Sequence, residues 1–205
     1  MYRPPAFAID DRAAIHAVIR ARVFATVAAV IDGAVAFAYA PVVLDAARNA
    51  VRFHLARQNP LAALPDGAQV ALSFAGPDAY ISPDWYETAG MVPTWNYIAV
   101  EGRGAVRRIE GDALRHLLAD VTAAEEIKLL PKTPWTIDKV PEPKMTTLLN
   151  AIVGFDMVFE TLTGKFKLSQ NIKPQDAEGA IAGLEARGDP ASLAVAAAMR
   201  TAREK

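Results

Sequence analysis

The chain has 205 residues, 52% of them hydrophobic, with a formal net charge of −1 and no cysteine. This size and apolar content suit one large domain, or a domain with an appendage, around a substantial core. The balanced charge excludes a grip on nucleic acid spread over the whole surface, and the lack of cysteine excludes disulfides and thiolate chemistry. The opening Met1-Tyr2-Arg3-Pro4-Pro5 lacks the basic start and apolar core of a signal peptide. No run of about 18 uncharged apolar residues occurs, so a cytoplasmic protein without a membrane span is expected.

Asp10 is placed to cap a helix over 11–21, whose apolar face is Ala14, Ile15, Val18 and Ile19. Residues 23–30 read as a strand, Asp32-Gly33 as a hairpin turn and 34–44 as the returning strand. A short strand follows over 51–55, with Arg52 and His54 on the face opposite Val51 and Phe53. Asn59-Pro60 opens a short helix that Pro65-Asp66-Gly67 closes. Residues 69–74 form another strand. The aromatic, Pro- and Gly-containing stretch 76–96 reads as a structured loop with a short strand near 79–82. A long alternating strand covers 97–109, with Gly102 and Gly104 as bulges or points of close approach.

A helix is expected from Asp112 to about Asp120, and Thr122 to Glu125 has the spacing of a capping box. Residues 131–144 carry four prolines and read as an ordered loop. The last strands are 152–162 and 165–168, separated by a turn at Thr163-Gly164. A helix over 174–185 stops at Gly188, and Asp189 caps another that begins at Pro190. His16 and His116 read as surface helix residues. The three histidines have no metal-ligand spacing, so no metal site is expected. No nucleophile elbow, Walker loop or dinucleotide fingerprint occurs.

Three segments carry the functional signal: His54 to Pro60, Pro93 to Tyr97, and Lys165-Phe166-Lys167-Leu168-Ser169-Gln170-Asn171. In the last, Lys165 and Lys167 share one strand face beside a hydroxyl and two amides. Such a strand end either holds a phosphate or is a solvated turn leading into a helix. Trp95, Asn96 and Tyr97 either stack on and bond a ring or pack an interface.

With Met1 to Phe7, Gly76 to Pro83, Trp85-Tyr86 and Ile152 to Phe155, these segments resemble the PaiB-like family of FMN-binding negative transcriptional regulators. The resemblance implies an α+β fold with a mainly β core: a flavin-reductase-like split β-barrel, related to pyridoxamine-phosphate-oxidase barrels, with flanking and C-terminal helices. It implies a flavin-binding domain over 1–171 and a helical extension over 172–205 packed on the same domain. The cofactor it implies is FMN, or else FAD, bound at a homodimer interface. A basic residue after the third strand commonly binds the flavin phosphate in such barrels, which points to Arg57 with His54 and Asn59. For Asn59 the helix-cap reading leads. Lys167, Ser169, Gln170, Asn171, Trp95 and Asn96 complete the candidate cofactor-binding set.

The chain departs from the family pattern at three places. Tyr39 stands where a histidine usually precedes proline, Glu125-Glu126 where a histidine–glutamate pair is usual, and Ile172 where arginine often follows. Two functions fit: a flavin-binding regulator, or a flavin-dependent oxidoreductase using NAD(P)H, in which the cofactor carries the chemistry. Direct DNA binding ranks below both, because the sequence has no helix-turn-helix pattern and no dense basic helix.

Overall fold

The computed structural model describes residues 1–204. Its five α-helices and eight strands, in chain order, are β1 (Ala8–Ile9), α1 (Arg12–Ala21), β2 (Phe24–Ile31), β3 (Ala34–Asp45), β4 (Ala50–Ala56), β5 (Gln69–Ile81), β6 (Thr94–Ile109), α2 (Gly111–Glu126), α3 (Glu142–Asn150), β7 (Ile152–Val158), β8 (Thr161–Lys167), α4 (Pro174–Arg187) and α5 (Pro190–Arg203). Two compact units result. One comprises residues 1–18, 75–100 and 163–205, and the other 19–74 and 101–162.

The second unit is a closed ring of six strands in the order β6-β5-β2-β3-β4-β7, with β7 returning to β6. Closure leaves no free edge in that ring. Its first hairpin is set by Asp32 and Gly33, which both have positive φ, at 51° and 78°. Alternation then sends Ala25, Val27, Ala38 and Ala40 inward, all buried. The interior holds a stacked pair, Phe53 of β4 and Phe155 of β7, with ring centroids 5.3 Å apart. Leu114 and Leu117 of α2 pack on Ile109 of β6 and on the half-buried Ile152 on the outward face of β7. Gly154 makes this possible, since a Cβ there would lie 2.6 Å from the Ile109 side chain and 2.8 Å from that of Leu114. On the same face Asp156 is buried and accepts both Arg48 guanidinium nitrogens, at 3.1 and 2.9 Å, with Arg107 at 3.5 Å.

In the first unit the order is β1-β8-β6-β5, and its core is closed by α4 and α5. Ile81, Leu168, Ile181, Leu184, Val195 and Met199 form that core. Gly188 ends α4 in the left-handed region at φ 71°, and the Asp189 side chain accepts the Ser192 amide at 3.0 Å to start α5. Trp85 lies against α4 at Gly179 and Gly183, where a Cβ would meet its backbone carbonyl or its indole.

Several boundaries depart from the sequence reading. β5 runs unbroken to Ile81 through the stretch read as loop, and β6 begins at Thr94. α2 continues to Glu126, so Thr122 starts no new helix; its hydroxyl donates to the Leu118 carbonyl one turn back. α3 begins inside the proline-rich segment, with Pro141 at its cap and Pro143 in its first turn, positions that need no amide hydrogen. The turn between β7 and β8 falls at 159–160 rather than 163–164. Gly164 stays inside β8 because Ile9 and Ile15 pack where its side chain would be. At the first helix, Asp11 bonds the Ala13 amide while Asp10 pairs with Arg3. His16 is buried rather than on the surface, beside the buried Ile15 and Ile19. No helix among the described residues is long and apolar enough to cross a membrane.

Candidate functional site

The sequence candidates fall into two groups, one in each unit. His54, Arg57 and Asn59 lie at the end of β4 in the six-stranded ring. His54 pairs with Gly154 of β7. Its Nδ1 is buried and has no hydrogen-bond partner, and burial pushes its pKa below the ordinary 6.5. A neutral imidazole is a poor counter-ion for phosphate. Arg57 donates from Nε to the Asn150 carbonyl at 2.6 Å and from one Nη to that of Ile152 at 3.0 Å. Together with its own amide, bonded to the Ala151 carbonyl at 2.8 Å, this caps the last turn of α3. A polar cavity of about 420 Å3 opens beside it, lined by Glu110, Thr146 and Asn150 among others. The Asn59 side chain accepts the Leu61 amide at 2.9 Å, so it serves as the cap of the short 3-10 helix over 60–63.

The state of His54 has a consequence for stability. Its folded pKa lies below its unfolded one, so above about pH 6.5 both states are neutral and stability is complete. As pH falls through 6.5 toward the folded pKa, the unfolded state gains a proton that the folded state refuses, and stability declines by up to about 1.4 kcal/mol per pH unit. Urea midpoints at pH 7.5 and 5.5 are expected to differ less in His54→Gln than in the wild type. Equal differences in both proteins would show that another group carries the acid sensitivity.

The second group lies in the other unit, where β6 begins and β8 ends. Asn96 is fully buried and donates to Ser169 Oγ at 2.8 Å and Met199 Sδ at 3.3 Å, while its Oδ1 is buried without a partner. Ser169 is buried in the left-handed region, at φ 63°. Gln170 closes the turn on itself, accepting the Leu168 amide at 2.7 Å and donating to the Phe166 carbonyl at 2.5 Å. Asn171 is exposed. The Gln170 amide and the Ser169 hydroxyl therefore serve the turn at the end of β8.

The lysines of the motif are arranged differently. Lys167 Nζ donates to Thr94 Oγ1 and to the Trp95 carbonyl, the latter at 2.7 Å. Burial, and then the charge of Lys165, push its pKa below the ordinary lysine range. Lys165 sits over two rings, 5.5 Å from the centroid of Tyr2 and 5.2 Å from that of Tyr97. Neither lysine has a carboxylate partner among the described ion pairs. Trp95 is 52% exposed and meets Tyr80 edge-on at 6.3 Å. Two neighbouring half-buried cations without a carboxylate partner among the described ion pairs favour an anion, and the exposed aromatic faces suit a flat ring. This donor set fits a flavin monophosphate. Sequence reasoning passed over Thr94, which orients Lys167; a threonine at the start of a strand carries no local sign of that role.

The closed six-stranded ring is a split β-barrel, the fold of flavin-binding proteins of known structure. The family described as "Putative FMN-binding domain" matches residues 1–161, and the chain belongs to this PaiB-like FMN-binding family. Among curated relatives, protease synthase and sporulation protein PAI 2 of Bacillus subtilis is 33% identical over 136 residues, covering 66% of this chain and 64% of that protein. An uncharacterised protein of Aspergillus fumigatus is 29% identical over 199 residues, covering 78% and 74%. The FAD and heme binding protein of Mycobacterium smegmatis shares the fold at a TM-score of 0.59 and 17% identity, covering 84% of this chain and 79% of that one. The flavocytochrome Anf3 of Azotobacter vinelandii does so at 0.59 and 13%, covering 87% and 77%.

Proposed function

We propose that the protein is an FMN-binding regulator of the PaiB type, with residues 1–171 as its flavin domain and 172–205 as a helical extension, and that the flavin phosphate is held by Lys167 and Lys165. The observation that carries this reading is the pair of neighbouring cations without a carboxylate partner among the described ion pairs, one fixed by Thr94 and the Trp95 carbonyl. Trp95 and Tyr97 offer ring faces beside that anion site, and Asn96, Ser169 and Gln170 hold the backbone that positions it. Arg57 is engaged by the carbonyls at the end of α3. When bound, the flavin supplies one- or two-electron redox chemistry; the protein binds and orients it. Titrating the purified protein with FMN and following flavin absorbance tests the reading directly. A protein that rejects added FMN overturns it.

The regulatory part of the reading is supported by likeness to a protein named for protease synthesis and sporulation. Direct contact with DNA fits poorly. Arg200 and Arg203 of α5 pair with Glu178 and Glu185 of α4, so the cations of this helix already have carboxylate partners. An oxidoreductase reading predicts oxidation of NADH or NADPH when FMN is present, and a sensor predicts none.

The second partner in this reading is another copy of the chain. Phe24, Thr26, Ala28 and Val30 of β2 lie beside Val35, Phe37 and Tyr39 of β3 on one outward face. The five large residues among them are 60–65% exposed, and Phe24 stacks on Tyr39. No charge interrupts this stripe, which suits an identical apolar stripe related by a two-fold axis. Sedimentation velocity is expected to give a dimer for the wild type and a monomer for the double variant Phe37→Glu, Tyr39→Glu. A wild-type monomer at micromolar concentration would remove the interface from the proposal.

A further inference from the structure

The first unit contains an apolar cavity that no flavin contact above uses. Its volume is about 430 Å3, within the ~300–1,000 Å3 range of small-molecule sites. Ile98, Phe166, Leu168, Ala198 and Ala202 make its walls. Phe166 lies between Lys165 and Lys167 in sequence, so it points to the other face of β8, away from the proposed phosphate site. Four of these five wall residues also lie beyond residue 161, where the family match ends.

The polar groups at the cavity are few, and most are already engaged. Gln170 accepts the Leu168 amide and donates one of its two amide N–H groups to the Phe166 carbonyl. Thr201 donates to the Ala197 carbonyl at 3.2 Å, leaving only lone pairs free. Asp11 uses Oδ1 for the Ala13 amide at 2.9 Å and makes no ion pair among the described residues. No lysine or arginine lines the cavity. The one charged group lining the cavity is the Asp11 carboxylate, with its second oxygen free; the Thr201 lone pairs and the second N–H of the Gln170 amide remain beside half-buried Ile98 and Phe166. Such a site accepts a donor-bearing cation on a hydrocarbon body and disfavours a carboxylate or phosphate.

We infer that this cavity binds a primary amine carried on an apolar body, its ammonium on the Asp11 carboxylate and its hydrocarbon against Ile98, Phe166 and the small residues of α5. The site is separate from the flavin face and does not depend on the flavin reading. It gives the C-terminal helices a way to register a small molecule.

Calorimetric titration of the full chain with 4-phenylbutylamine, 4-phenylbutan-1-ol and 4-phenylbutyrate tests the inference. The amine is expected to bind at least tenfold more tightly than the alcohol, with the acid weakest. Asp11→Asn keeps the acceptor for the Ala13 amide, since asparagine caps helices as well as aspartate; it should bring the amine down to the level of the alcohol. Ala202→Phe should abolish binding of all three. A parallel FMN titration should be unchanged in Asp11→Asn, which separates this site from the flavin site. Equal binding of the three probes, absence of amine binding, or amine binding indifferent to Asp11→Asn would each overturn the inference.

Discussion

Lys167→Gln is expected to weaken FMN binding about tenfold to a hundredfold while leaving riboflavin binding unchanged. The magnitude follows from losing a charge-assisted contact, worth about 1.5–3 kcal/mol. Riboflavin has the same ring but no phosphate, so it separates a phosphate contact from a ring contact or a damaged fold. An equal loss for both ligands would move Lys167 away from the phosphate. A second signature comes from pH. Binding requires the ammonium form, and burial and Lys165 hold the Lys167 pKa below the usual lysine range. FMN affinity should therefore fall as pH rises into the alkaline range, before an ordinary lysine would titrate. Lys167→Arg, whose cation persists there, should flatten that decline. Flavin fluorescence titrations between pH 7 and 10 measure both effects.

Phe155→Ala is expected to destabilise the protein by about 3–5 kcal/mol, the usual cost of emptying a fully buried aromatic site. Phe155 is 1% exposed and stacks on Phe53. It also lies on the strand that closes the ring, paired with Phe53 of β4 on one side and Arg108 of β6 on the other. Its loss removes both core volume and the contact that holds the last strand in place. Val158, on the same strand, is 48% exposed, and Val158→Ala should stay within about 0.5 kcal/mol. Urea unfolding of the two variants side by side gives the comparison. Similar midpoints for both would mean that β7 adds little to the barrel.

Features that local physics governs are legible in the sequence. Asp32-Gly33 makes the first hairpin because both positions need positive φ, and Gly188 followed by Asp189-Pro190 ends one helix and starts the next for equally local reasons. The cap role of Asn59 and the close approach at Gly102 and Gly104 belong here too. A Cβ at either glycine would fall 2.2 Å from an atom of Phe159 or Val158. The signature blocks point to the split barrel because their order along the chain is itself sequence information.

Boundaries set by distant partners are not legible in this way. Gly76-Pro77-Asp78 has the composition of a loop, yet β6 pairs along it and Ile98 occupies the space where a Gly76 side chain would be. Pairing with a strand about twenty residues away outweighs weak local propensity. Phe159 ends β7 early because its buried ring fills the space over Gly102, and no local signal announces that.

The same division applies to the candidate site. Sequence alone determined its chemistry: two lysines on one strand face, aromatic residues in an earlier segment, and amides in the turn between strand and helix. Only the tertiary structure assigned the tasks. It turned Asn96, Ser169 and Gln170 inward to hold the backbone and engaged Arg57 with α3. It left Lys165 and Lys167 as neighbours with no carboxylate partner among the described ion pairs. Spacing in a strand fixes which face a side chain takes. Whether that side chain finds a partner or is left for a ligand depends on what other segments bring to that face.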